Sequence, residues 1–114
     1  TLEGNFAFAQ GLQEMLIQSG FGYIEVLPAV PEGWRDVSFT DLRCEGAFLV
    51  SLQKKSGTIE EIKIKAPKGG IMRLKLPFKT FYIGDKTVKY SVVAGMLSIN
   101  MKEAQIIVIK NGHV

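Results

Sequence analysis

LEGNFAFAQGLQEMLIQSGFGYIEVLPAVPEGW, residues 2–34, decides how the rest of the chain is read. Gly4-Asn5 punctuates its start, and Asn5 suits an N-cap, its side-chain oxygen accepting from a first-turn N–H. Phe8, Leu12, Met15, Leu16 and Ser19 recur on one face of an α-helix, while Phe6, Ala7, Ala9, Gly11 and Ile17 leave the other faces apolar or small. A helix apolar on several sides is buried on several sides. Gly11 in mid-helix costs about 1 kcal/mol relative to Ala, which suggests close packing on another element. Gly20 and Gly22 are expected to end the helix. Residues 23–27 then alternate as a short strand, and Pro28 and Pro31 remove two backbone donors, making this a connector or edge strand. Glu32-Gly33 turns the chain toward Trp34. Its ring is expected to plug the gap between helix and sheet, with a sugar-stacking platform as the alternative.

Outward from that stretch the period changes to two. Residues 47–53 place Phe48, Val50 and Leu52 on one face, Lys55-Ser56-Gly57 turns, and residues 59–65 return with Ile62 and Ile64 inward. Pro67-Lys68-Gly69-Gly70 turns again, after which Met72, Leu74 and Leu76 face in while Arg73 and Lys75 face out. Residues 81–83, a Gly84-Asp85-Lys86 turn and residues 87–93, with Val88, Tyr90 and Val92 on one face, predict a further hairpin. Residues 96–101 alternate, and the nearly continuous apolar run 105–110 predicts a central strand. Seven or eight short strands with regular turns predict a mainly β fold: an antiparallel two-sheet β-sandwich preceded by one N-terminal α-helix. No second helix follows, so the first is expected to find its partners outside this sequence.

The chain has 114 residues, 46% of them hydrophobic and 22% charged, with a net charge of +3. That is one domain's worth and too apolar for disorder. The Lys and Arg residues mostly alternate with apolar ones, as on a solvated strand face, and no nucleic-acid-binding signature accompanies them. No apolar run approaches the ~18 residues of a membrane span. The opening on Thr1, without Met and just before a motif, points to an internal boundary with any targeting signal upstream. Chemistry of its own is thin. Cys44 is the single cysteine, so no internal disulfide exists, and no histidine is placed to activate it. His113 is the single histidine, one residue from the end, so neither a metal cluster nor a Ser-His-Asp triad can be built on it. Glu60, Glu61 and Asp85 read as solvated, and no phosphate-binding glycine loop occurs. No metal and no cofactor are expected.

The ordered motifs carry a resemblance. Glu3-Gly4-Asn5-Phe6, then residues 14–19 (EMLIQS), then residues 22–31 (GYIEVLPAVP) with Trp34, resemble the end of glycoside hydrolase family 95, the inverting α-L-fucosidases and related α-L-galactosidases. The pattern there is D-G-N-F-G, an E-M-L-L-Q-S helix, and G-Y-I-E-L-L-P-A-L-P-x-x-W. Leu42-Arg43, Gly46-Ala47-Phe48 and residues 69–74 are similar to later family segments, and the likeness covers about residues 2–76. It implies that residues 1–22 carry the last helix of an (α/α) catalytic barrel and that residues 23–114 form a C-terminal β-sandwich packed on it. It also implies inverting hydrolysis of a terminal α-linked L-sugar, with a protonated Glu as general acid and a water activated from the opposite side.

One catalytic position of that machinery falls on Glu3, and Asn5 in the same motif is its substrate-binding neighbour. The general acid and the Asn residues that hold the water lie upstream. Glu3 stands where the family has Asp; the extra methylene moves the carboxylate by about an ångström, an error that can cost about 100-fold in rate. Ala7-Phe8 replaces small glycines and narrows the space beside it. Outside the resemblance, Glu3 reads as a carboxylate favoured at a helix start. The implied whole is a bacterial, secreted or periplasmic enzyme acting on fucosylated or galactosylated glycans, with this fragment inactive alone and self-associating through Phe6, Phe8 and Leu12. From a different class, the chain reads as a free-standing carbohydrate-binding or interaction module using Trp34, Phe81, Tyr82 or Tyr23. Mostly buried aromatics together with an exposed apolar patch on residues 6–17 favour the first reading, and a solvent-facing aromatic row on the sandwich favours the second.

Overall fold

Side chains that alternate in the sequence build the core. In this computed structural model, which describes residues 10–31 and 33–113, Phe48, Val50, Leu52, Ile62, Ile64, Ile107 and Ile109 meet Met72, Leu74, Leu97, Ile99 and Met101 in one buried cluster. Each such burial contributes about 1.5–3 kcal/mol. The elements in order are α1 (Gln10–Leu16), β1 (Ile17–Gln18), β2 (Glu25–Val26), β3 (Val37–Cys44), β4 (Phe48–Lys55), β5 (Thr58–Ala66), β6 (Gly70–Lys75), β7 (Phe81–Ile83), β8 (Ser91–Val93), β9 (Met96–Met101) and β10 (Gln105–Asn111). Strands β3-β4-β5-β10-β7 form one antiparallel sheet, β6-β9-β8 a second, and β1-β2 a short ribbon. The result is the expected mainly β, sandwich-like arrangement behind one short helix.

Turn chemistry fixes the register. Ser56-Gly57 between β4 and β5 and Ala94-Gly95 between β8 and β9 both have two successive positive φ values (50° and 82°; 51° and 78°). That is the twist a two-residue hairpin requires. At the corner where the chain leaves the larger sheet, the Ala66 carbonyl accepts from both Gly69 N (3.0 Å) and Ala104 N (2.8 Å). Gly69 has φ +68°, and a Cβ there would stand 2.9 Å from the Met101 carbonyl oxygen and from Glu103 N.

The opening stretch folds differently from its periodicity. The helix ends at Leu16, not at Gly20. The Leu16 carbonyl accepts from Leu27 N (2.7 Å), and Ile17 pairs with Val26 across the ribbon. Gly20 and Gly22 therefore turn a small hairpin, Gly22 at φ +86°, instead of closing a helix. Leu16 and Ile17 are buried inside this chain, and Ile17 joins the core cluster. The connector behaves as an edge: Ile24 bridges Leu74 in parallel, through Ile24 N to Arg73 O (2.8 Å) and Lys75 N to Ile24 O (2.9 Å).

Two further expectations are corrected. Residues 81–83 and 87–93 do not pair: β7 joins β10 and β8 joins β9, so they belong to different sheets. An Asp85–Thr87 turn (Thr87 N to Asp85 Oδ1, 2.9 Å) sends the chain across, and the tight Ala94-Gly95 turn claims β8 for β9. Tyr90 and Val92 are exposed on that edge, and only Val88 of the predicted face packs on the core. Trp34, expected to plug the gap between helix and sheet, is half-buried in a loop and is not among the described residues that pack on the core cluster. By contrast β10 is flanked on both sides as expected, although Ile106 on its outer face is exposed.

Candidate functional site

Glu3 and Asn5, the positions given a catalytic and a substrate-binding role, lie outside the described residues, as do Phe6 and Phe8. What is described is the surface next to them in sequence. The last turn of α1, the turn of the β1–β2 hairpin and the end of β3 enclose an open hollow of about 550 Å³ lined by Gln13, Glu14, Gln18, Ser19, Phe21 and Arg43. Its shape follows from the early end of the helix. Gln18 Nε2 reaches back to the Glu14 carbonyl (3.3 Å), and the Gly20–Gly22 turn then lifts Phe21 off the surface.

Ser19 anchors this turn. Its Oγ accepts from Glu45 N (2.9 Å), tying the ribbon to the β3–β4 corner. Beneath it Cys44 is buried, and that burial pushes its thiol up to about 11, against a smaller opposing effect of a hydrogen bond with Ser19. A thiol so protonated is a poor nucleophile at neutral pH. Cys44 is a packing residue, as its strand position suggests.

Phe21 is 81% exposed at the rim, and Ile71 is exposed beyond Ser19, where a smaller hollow of about 190 Å³ opens between Tyr23, Glu45 and Arg73. A bare aromatic in one hollow with Glu14 and Arg43 has the composition of a docking surface, an apolar anchor beside a charged rim, and Glu45 and Arg73 line the neighbouring hollow. Sequence reasoning passed over Phe21 and gave Arg43 no role beyond its place in the family resemblance. The available signal was a large aromatic between two glycines, a position in neither a helix face nor a strand face.

The four candidate sugar-stacking aromatics do not form a row. Tyr23, Trp34 and Phe81 are half-buried, and only Tyr82, 48% exposed, faces solvent. Alternation along β7 sends Phe81 and Tyr82 to opposite faces. Phe81 instead meets Tyr90 edge-to-face, with ring centroids 5.6 Å apart. Among the described residues no three His, Cys, Asp or Glu side chains gather as a metal site, and no helix is long and apolar enough to cross a membrane. His113 is exposed, its backbone N–H donating to Asn111 Oδ1 (2.9 Å).

Comparison with known families then decides the relationship. The model of the glycoside hydrolase family 95 C-terminal domain matches residues 18–109, most of the chain and nearly the whole sandwich. The chain belongs to glycoside hydrolase family 95. A search of curated proteins gave no match. Within this family 95 domain the matched span opens at Gln18, so Ser19, Phe21 and Arg43 fall inside it while Gln13 and Glu14 precede it. The exposed Phe21 thus sits at the edge of the family's C-terminal domain, beside the segment that leads into it.

Proposed function

We propose that this chain is the C-terminal sandwich of an α-L-fucosidase-like inverting glycoside hydrolase, packing on and stabilising its catalytic barrel, and inactive in isolation. Residues 1–22 bring in the barrel's last helix and residues 23–114 form the sandwich. The observation that carries this reading is the exposed Phe21, in its charged rim, at the point where a family 95 C-terminal domain begins. Burying that ring would contribute about 1.5–3 kcal/mol to the docked state.

In the whole enzyme a Glu from the barrel protonates the leaving oxygen. Glu3 polarises the Asn residues that hold the attacking water, with Asn5 at the sugar. The substrates are terminal α-L-fucosyl or α-L-galactosyl groups, met by a bacterial, secreted or periplasmic protein. Detached from the barrel, the chain self-associates through the surface its helix presents.

The test is an assay of the full-length parent and of this chain on aryl α-L-fucoside and α-L-galactoside. The parent should hydrolyse one of them with inversion, this chain neither, and Glu3→Asp should change the parent's rate by up to about 100-fold. A parent inert on both sugars, or a rate indifferent to Glu3→Asp, contradicts the assignment.

A further inference from the structure

The outer face of the larger sheet carries a second, unrelated hollow. Register aligns four side chains directly across four strands: Gln53 of β4 opposes Glu61 of β5, Glu61 opposes Lys110 of β10, and Lys110 opposes Tyr82 of β7. Residues opposite one another on one face stand within reach of each other. This row bounds an open hollow of about 280 Å³ that Glu60 and Asn111 also line.

Glu60 and Glu61 are consecutive, and in a regular strand they would face opposite ways. They share this hollow because β5 bulges: Gln53 pairs with Glu61 and Lys54 with Ile59, leaving Glu60 as the extra residue. Asn111 locks the bulge by donating from Nδ2 to the Ile59 carbonyl (3.0 Å). Such bulges re-aim side chains, and they recur beside binding sites.

The chemistry of the hollow is specific. Tyr82 is half-exposed at its side. Two carboxylates supply acceptors, the Lys110 ammonium supplies donors, and the Gln53 amide supplies both. Lys110 reaches Glu61 only at 3.9 Å, too far for a hydrogen bond, so both groups have capacity left for a ligand. An aromatic surface beside mixed donors and acceptors suits a molecule with an apolar C–H face and a rim of hydroxyls. Two carboxylates against one ammonium disfavour an anion. The volume is at the small end for ligand sites, one ring and not an extended chain.

We propose that this hollow is an accessory site for one neutral sugar unit, stacked on Tyr82 and hydrogen-bonded by Gln53, Glu60, Glu61 and Lys110. The site stands on the sheet's own geometry and does not depend on docking to a barrel. It would hold a glycan against the protein without hydrolysing it.

The test is a backbone amide NMR titration of the chain with methyl α-L-fucoside, methyl β-D-galactoside and methyl β-D-glucoside at up to tens of millimolar, with galacturonate and calcium as controls. A neutral glycoside should give saturable shifts at Gln53, Glu60, Glu61, Tyr82 and Lys110. Tyr82→Ala should weaken binding about tenfold, equivalent to about 1.4 kcal/mol, and Tyr82→Phe should largely preserve it. Phe21→Ser should have no effect on it. No saturable shift at these amides, binding unchanged in Tyr82→Ala, or a response to galacturonate or calcium alone would overturn the proposal. Tyr82 is a surface side chain on an edge strand, so an unchanged spectrum elsewhere will certify that the variants are folded.

Discussion

Cys44 and Gly69 show how single positions decide stability here. The unfolded Cys44 thiol ionises near its ordinary 9.0, whereas burial holds the native thiol neutral to about 11. Between those pH values the native state binds the extra proton, so stability is intact below pH 9 and falls as pH rises toward 11, by about 2–3 kcal/mol in full. Urea midpoints measured from pH 8 to about pH 11 should fall more steeply for the wild type than for Cys44→Ala; parallel curves would remove Cys44 from the account. The same burial predicts slow labelling of the native thiol by iodoacetamide and fast labelling once the chain is unfolded. Gly69 is tighter still. With φ +68° and backbone atoms of Met101 and Glu103 2.9 Å from any Cβ, Gly69→Ala should cost about 3 kcal/mol. Thermal melting would read that loss directly.

Among the elements, the hairpin turns are the most tractable. Ala94 has φ +51° in a two-residue turn, a conformation that Asn tolerates far better than Ala. Ala94→Asn should therefore stabilise the chain by about 0.5–1 kcal/mol, read as a higher urea midpoint at unchanged slope. Local patterns made the strands legible: Val50, Leu52, Ile62, Ile64, Leu97 and Ile99 alternate in sequence and are buried in the fold. Partnership was less legible. Residues 81–83 and 87–93 read as neighbours because they are adjacent in sequence, yet which strand pairs with β8 was decided by the Ala94-Gly95 turn and by β10 taking β7. The helix end was hidden for a similar reason. Helical spacing continues through Ser19, but pairing of Ile17 with Val26 overrides it, a tertiary choice that propensity does not encode. The bulge at Glu60 was likewise silent, since a two-residue period assigns consecutive glutamates to opposite faces. The family motifs did carry the relationship, whereas Phe21 and Arg43 became a surface only once the turn around them was in view.

For the whole molecule, membership of family 95 as a C-terminal domain places the functional weight on what the sandwich touches. Phe21 separates docking from self-contained folding. In the isolated chain Phe21→Ser removes a side chain already 81% exposed, so its stability should move by no more than about 0.5 kcal/mol. In the full-length parent the same change should cost about 1–3 kcal/mol, seen as a lower melting temperature of the sandwich and barrel together. The most direct measurement is amide hydrogen exchange of Gln18, Ser19, Phe21, Arg43 and Glu45, compared between this chain and the full-length parent. Docking through this face predicts exchange slowed about tenfold or more at those amides in the parent, with Gln53, Tyr82 and Lys110 unchanged. Equal exchange at Phe21 and Arg43 in the two proteins would contradict it.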